Sequence, residues 1–463
     1  MGLFKPVQLH HVAILWHPSE PRVLAVPTRE GLALPSFMAE EKHPAEAGHV
    51  IQRLKGRLGV PMTVLQCLGN FPGQVGAPPD RVYVLESHGP ASLRPTEGEW
   101  LDVAHLHARG LPPVHQRLID SWLEQRSTPP RHGREWSAPG WWDEATAWIA
   151  RALHAAGWGN VQEIEQLRTW EFSCVLRIRA ARGECFFKAL PPSYSAEPRL
   201  VLRLQETHPA LIPEVLATNL ERRWLLLAAA GGELLESVSD PSAWEAAARA
   251  YAELQRQWTR HEARTSLGLN RLPLEALERE FDALLADDAA LLLDTPEGLT
   301  RAQVERLRAQ AEELKGCCRE LAALGIPETL EHGDLWPSNI FVTPRGPVFI
   351  DWTDAVIAPP LLGAWMLLEG PQSEALLGRS PGARERVSAA YLRPWAEEWG
   401  QHTLERAFTL ARRIAPAFHA WKLYREVLPH LETREIGEVL PFLLKRLLSD
   451  APAIPRGSVP RPR

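Results

Sequence analysis

The chain has 463 residues, a formal net charge of −6, and 45% hydrophobic against 23% charged residues; this is ordinary globular composition, with length for about three domains. It carries no basic tail or arginine run, so nucleic-acid partners are not expected. No apolar run is long enough to span a bilayer, Met1 to Lys5 leads into no signal-peptide core, and Cys67, Cys174, Cys185, Cys317 and Cys318 fit neither a disulfide framework nor a zinc spacing, so a cytoplasmic protein with no membrane partner is expected.

Residues 8–16 read as a strand and Arg22 to Pro27 as its hairpin partner. Leu32 to Pro35 is a short extended piece. Ala45 to Leu58 has helical spacing, with Val50, Leu54 and Leu58 on one face and Gly59 as the stop. Pro61 to Leu68 and Arg81 to Leu85 read as strands, and Val114 to Gln125 as a helix. This layout resembles a Nudix domain, with Leu34-Pro35 before the helix, Leu58-Gly59-Val60 after it and Glu99-Trp100-Leu101 late. The resemblance implies an α/β/α domain over residues 1–127. Nudix hydrolases hold metal through glutamates on that helix. Anchored on Gly59 and Val60, the matching positions here are Arg53, Gly56 and Arg57. Arginines there repel Mg²⁺, so pyrophosphate hydrolysis is not expected. Ligand sensing, dimerisation, lid formation and a structural role all stay open.

Arg126 to Arg134 is polar and rich in Pro and Gly, which places a linker at 128–140. Trp136 to Trp142 introduces a helix, Asp143 to Ala156. Its tryptophans suit sugar stacking or, more simply, a core. Three strands follow: Val161 to Trp170, Ser173 to Ala180 and Glu184 to Leu190, with Ala181-Arg182-Gly183 as the second turn. Lys188 sits among bulky apolar neighbours in the third strand. The other lysines are Lys5, Lys42, Lys55, Lys315, Lys422 and Lys445, so a lysine in an apolar strand asks for a reason; snorkelling from an edge strand is the plain one. A helix follows with Glu197 near its start. Pro213 to Ala217 and Arg223 to Leu227 read as strands, and Gly231-Gly232 closes a small lobe of residues 141–230.

Helical periodicity dominates residues 231–450. Helices are expected at Ser242 to Trp258, Leu274 to Leu285, Thr300 to Leu324, Arg384 to Trp399, Leu404 to Leu428 and Ile436 to Leu448, with a frayed tail from Pro452. Acids at Glu278, Glu280, Asp282, Asp287, Asp288 and Asp294 suit a cationic substrate or, more simply, a solvated helix face. Among these helices stands Glu331-His332-Gly333-Asp334-Leu335-Trp336-Pro337-Ser338-Asn339-Ile340-Phe341, and then Val348-Phe349-Ile350-Asp351-Trp352. Asn339 to Thr343 reads as a strand, Pro344 to Pro347 as a turn and Val348 to Asp351 as the return strand. Asp334, Asn339 and Asp351 are thereby gathered on one platform. Two carboxylates and an amide carbonyl are hard oxygen ligands of the kind Mg²⁺ takes. Phosphoryl transfer to a hydroxyl needs one carboxylate for the nucleophile, and an Asn and an Asp for metal on the nucleotide.

The pattern H-G-D-x-x-x-x-N, a hairpin, then I-D-W resembles the catalytic segment of the aminoglycoside phosphotransferase and choline kinase superfamily, a relative of the protein-kinase signature. The resemblance covers about residues 140 to 450 and implies a bilobal protein-kinase-like fold, so the whole chain is expected to be α+β. It implies ATP and Mg²⁺ as cofactors and a small-molecule hydroxyl acceptor as partner. In it Asp334 is the catalytic base, Asn339 and Asp351 are metal ligands, and His332 braces the loop. Lys188 holds phosphates with Glu197 as its partner, and residues 223–232 supply the hinge for adenine. Ser173 is a donor in the turn Arg168 to Ser173. Two departures stand out. That turn has no glycine to let phosphates approach the backbone. The run Ala358 to Ala364 keeps only Pro360 of the family's G-D-P-x-x-D-L. Together with the Nudix-like helix that lacks its glutamates, they support a second expectation, a pseudokinase or nucleotide-binding regulator without efficient transfer. Trp421, Tyr424 and Arg425 suit an acceptor pocket or, more simply, a core. Acceptor identity and oligomeric state stay open.

Overall fold

The computed structural model describes residues 8–40, 42–71, 80–90, 94–126, 133–261, 266–431 and 438–448. The chain divides into two compact units, residues 1–193 with 216–228, and residues 194–215 with 229–463. The start of the expected linker, residues 128–132, the start of the last expected helix and the C-terminal tail lie outside the described residues.

The first unit begins with β1 (Gln8–Trp16), β2 (Arg22–Thr28), β3 (Gly31–Ala33), β4 (Ser36–Glu40), α1 (Gly48–Leu58), β5 (Met62–Phe71), β6 (Asp80–Ser87), β7 (Glu99–Asp102) and α2 (Pro113–Arg126). The sheet order is β3-β2-β1-β6-β5, with β4 also on β1 and β7 on β2. β1 and β6 run parallel from His10 opposite Asp80 to Trp16 opposite Glu86. Strand side chains alternate between faces, and both faces here are apolar. Val12, Ile14, Trp16, Val82 and Val84 share a core with Leu118, Ile119 and Trp122 of α2. Ala13, Leu15, Tyr83 and Leu85 share another with Val50, Leu54 and Leu58 of α1. A sheet apolar on both faces needs a layer on each, which produces the α/β/α sandwich. Gly59 ends α1 at φ 67° and gives its N–H to Lys55 O. Arg53, Gly56 and Arg57 of α1 are exposed, and Arg57 Nε donates to Glu97 Oε2 at 2.7 Å.

The same unit continues with α3 (Trp141–Ala155), β8 (Val161–Thr169), β9 (Cys174–Ala180), β10 (Gly183–Ala189), β11 (Val215–Asn219) and β12 (Trp224–Ala228), in a sheet of order β11-β12-β10-β9-β8. α3 covers one face, where Trp136, Trp141, Ile149 and Leu153 join Leu176, Ile178, Phe187 and Trp224. Trp136 and Trp141 are therefore core, as the plainer reading had it. The sandwich joins this sheet at β8. Thr169 N donates to Ala45 O at 2.9 Å and Ala47 N to Leu167 O at 3.1 Å. The Gln166 amide accepts from Val64 N at 2.7 Å and donates to Val64 O at 2.8 Å.

The second unit contains α4 (Ala196–Thr207), β13 (Glu233–Leu234), α5 (Pro241–Trp258), α6 (Leu274–Leu284), α7 (Arg301–Ala323), β14 (Thr329–Glu331), β15 (Ile340–Thr343), β16 (Gly346–Phe349), β17 (Val356–Ala358), α8 (Ala364–Glu369), α9 (Pro371–Leu377), α10 (Ala383–Trp399), α11 (Gln401–Lys422) and α12 (Val439–Leu447). β13, β15 and β16 form one small sheet, and β14 pairs with β17. The long helices bury Trp244, Trp258, Trp395 and Trp421. α7 starts with a capping box between Thr300 and Gln303. The helix expected over 404–428 stops being α-helical at Lys422 and continues as a π-helical turn, Leu423–Val427. Among the described residues no helix is long and apolar enough to cross a membrane.

Candidate active site

The loop between β14 and β15 carries His332, Gly333, Asp334 and Asn339. Gly333 has φ 78°, and a side chain there would collide with the Asp354 carbonyl, so the turn requires glycine. His332 is fully buried. Its Nε2 lies 2.9 Å from Ile350 O, and its Nδ1 accepts from Asp334 N at 3.3 Å. These partners assign the proton to Nε2. Burial lowers the His332 pKa to about 4, so the ring is neutral near pH 7. It ties the start of the loop to the end of the hairpin.

Asn339 is the last residue of a single 3₁₀ turn, Pro337–Asn339, placed just before β15. Its Nδ2 donates to Asp334 Oδ2 at 2.8 Å and to Asp334 O at 2.9 Å. The Asp334 carbonyl can only accept, so the amide's orientation is fixed and Oδ1 is its remaining acceptor. Asp351 follows β16 in a left-handed conformation, φ 62° and ψ 65°, with its side chain exposed. Thr353 Oγ1 lies 2.7 Å from Asp351 Oδ1 and 2.8 Å from Glu197 Oε2 of α4. Its single proton serves one carboxylate at a time. The Asp334 carboxyl is pushed well above its ordinary range by burial and then by the charges of Asp354 and Asp351; Lys422 and Asn339 pull it down.

Glu197, Asp334, Asn339 and Asp351 thus stand together in the second unit. Lys188 and Ser173 belong to the first. Lys188 is on β10 opposite Val175 of β9 and Leu225 of β12. It is half-buried on an interior strand, so the edge-strand reading does not hold. Ser173 closes its turn by accepting the Trp170 N–H on its carbonyl at 2.9 Å. The Trp170 carbonyl in turn accepts from Trp136 Nε1 at 3.1 Å.

Four residues of the site went unread in the sequence: Tyr251, Thr353, Asp354 and Lys422. Tyr251 Oη accepts the His332 N–H at 2.9 Å and donates to Glu331 Oε2 at 2.8 Å. Lys422 Nζ donates to Asp354 Oδ1 at 2.8 Å and to Gly333 O at 3.1 Å. The scarcity of lysine in an arginine-rich chain was the available signal for Lys422. The acidic run is largely paired. Glu278 meets Arg319, Asp282 meets Lys315, and Asp294 meets Arg301. Glu280 takes Arg425 Nη1 at 2.9 Å and Trp421 Nε1 at 2.9 Å. Trp421 is core, and Tyr424 Oη reaches Asp287 Oδ2 at 3.2 Å.

Choline kinase LicA from Streptococcus pneumoniae is similar at 13% identity, over 66% of this chain and 98% of its own, with a TM-score of 0.45. Aminoglycoside phosphotransferase APH(3'')-Id from Streptomyces rimosus, solved with ADP and streptomycin, is similar at 18% identity, over 57% of this chain and 98% of its own, with a TM-score of 0.36. A protein from Sinorhizobium meliloti 1021 described as an oxidoreductase is similar at 18% identity, over 27% of this chain and only 41% of its own, with a TM-score of 0.23. No curated protein sequence matches the chain. Residues 163–404, just over half of the chain, match the phosphotransferase enzyme family, and the chain belongs to that family.

Proposed function

We propose that this chain is an ATP-dependent kinase that moves the γ-phosphoryl group to a hydroxyl of a small molecule. In this reading residues 141–230 and 231–450 are the two lobes of a kinase-like fold, with a degenerate Nudix-like domain in front. One observation carries it: Asn339 spends its N–H groups on Asp334 and keeps a carbonyl oxygen in reserve. One side chain thereby orients a base and retains a ligand for a cation.

The residues fit Mg²⁺. It binds through one or two carboxylates and keeps waters and phosphate oxygens for the rest of its shell. Asn339 Oδ1 and the exposed Asp351 carboxylate suit that role, and the mutual repulsion of Asp334, Asp351 and Asp354 favours a cation nearby. Among the described residues no group of three or more His, Cys, Asp or Glu is arranged to hold a metal by itself, which accords with an ion that shares its shell with a nucleotide. Bound there, Mg²⁺ would neutralise phosphate charge. Asp334 orients the acceptor hydroxyl and takes its proton. Asn339 holds the Asp334 carboxylate in one orientation. Lys188 positions phosphates, and Ser173 donates to the nucleotide.

The test is ATP consumption over a panel of aminoglycosides, choline-like amines, sugars and homoserine-like alcohols, with and without Mg²⁺. Transfer that vanishes in Asp334→Ala while ATP binding persists supports the reading. Native turnover in that variant removes Asp334 as the base. The pinned turn at Trp170 favours a second reading, a pseudokinase or nucleotide-binding regulator. ATP binding without transfer to any acceptor is its signature.

A further inference from the structure

Lys422 has no part in the chemistry derived so far, yet it stands beside the proposed base. The residue is only 6% exposed. A buried ammonium is costly unless it is paired and hydrogen-bonded. Here the partners are Asp354 Oδ1 at 2.8 Å and Gly333 O at 3.1 Å. Their places in the chain matter. Gly333 immediately precedes Asp334, and Asp354 closes the short turn that Asp351 opens. One ammonium therefore ties the backbone before the base to the loop after the metal-holding carboxylate. The apposition is tight: a Cβ on Gly333 would strike the Asp354 carbonyl and lie 3.0 Å from Lys422 Cε. Lys422 is also the last residue of α11, and a π-helical turn follows it. Such turns interrupt the α-helical ladder at a defined place, often at functional sites.

We propose that Lys422 is a positioning residue, whose ammonium clamps the Gly333–Asp334 turn against the Asp351–Asp354 loop and so sets the spacing between base and metal-holding carboxylate. This rests on the reading of Asp334 and Asp351 given above. Misplacement of reacting groups by about 1 Å costs roughly a hundredfold in rate, so a clamp at this point acts on turnover rather than on nucleotide affinity. The site is built for lysine. A compact ammonium suits the contact between a single carbonyl and a single carboxylate oxygen, whereas a planar guanidinium needs a wider, forked arrangement.

The experiment uses the full chain and two readouts. Hydrogen–deuterium exchange of peptides covering residues 331–343 reports the clamp without any need for activity. Phosphoryl transfer from Mg²⁺-ATP to an acceptor from the panel reports its consequence. Lys422→Met is expected to speed exchange over 331–343 about tenfold while β9 and β10 exchange as before. Its kcat is expected to fall roughly a hundredfold, with KM for ATP within about threefold. Asp354→Asn should loosen the same peptide, and it serves with Lys422→Arg if the methionine variant does not fold. The double variant Lys422→Met/Asp354→Asn separates clamping from charge balance: under the clamp it stays impaired, and recovery of native exchange and kcat overturns the proposal. Native exchange over 331–343 in both single variants also overturns it. Failure of the wild type to phosphorylate any acceptor counts against the kinase reading, and the exchange data still decide the clamp.

Discussion

The side-chain amide of Gln166 pairs with both backbone groups of Val64, at 2.7 and 2.8 Å, in a buried position between the two sheets of the first unit. It imitates a strand partner. Gln166→Ala leaves a buried N–H and a buried C=O unsatisfied, a loss of about 2–3 kcal/mol. The first unfolding transition should fall by roughly 5 °C. Glu163→Ala, exposed on the same strand, should leave it within about 1 °C. Equal melting of both variants would show that the sandwich does not depend on this contact.

Asn339→Asp replaces the donor that faces Asp334 with a second carboxylate at hydrogen-bond distance. Two such groups cannot both ionise cheaply, and they share a proton instead. Phosphoryl transfer should drop at least about a hundredfold near pH 7. The variant's melting temperature, relative to wild type, should recover as pH falls from 8 to 5. A pH-independent difference would mean that the carboxylates do not meet.

Asp351→Asn acts in opposite directions on stability and function. Asparagine tolerates the left-handed backbone at φ 62° as well as aspartate does. It also removes one of two charges that repel Asp334. The variant should melt slightly higher, by about 1 kcal/mol of stability, and lose Mg²⁺-dependent transfer. Lower stability together with intact transfer would assign Asp351 to structure alone.

Glu331 gives the fold a pH dependence. Burial raises its pKa to about 7, against bonds from Tyr251, Gln255 and Gly363 that lower it. The unfolded chain titrates this group near 4.5, so the folded state holds the proton more tightly. Its stabilising contribution is complete below that value and is lost as pH rises through about 7. The size is up to about 3 kcal/mol. Urea midpoints from pH 5 to 8 should fall with a shallower slope in Glu331→Gln than in wild type; parallel slopes would exclude Glu331 as the source.

Much of this was readable in the residues. Val12, Ile14 and Trp16 against Ala13 and Leu15 announce a strand buried on both faces, and α1 stops at Gly59 as its spacing requires. His332, Asp334, Asn339 and Asp351 fell within one short stretch, so local spacing was enough to group them. Tyr251 and Lys422 were hidden because their partners lie 81 and 89 residues away. No local pattern marks a hydroxyl on one helix that will accept the His332 N–H. β4 was missed for a different reason: its residues are half-exposed and lack a strong apolar alternation. The helix expected over 404–428 was read as continuous because a π-helical turn keeps helical composition.

β8 is the outermost strand of its sheet, and residues 45–47 bond to its far side. An uncovered strand of this kind is a template for other chains. Residues 45–47 thus cover backbone groups of β8 that would otherwise be open to pairing. A truncated protein beginning at residue 133 would expose that backbone along Leu167 to Thr169 and is expected to be less soluble than the full chain.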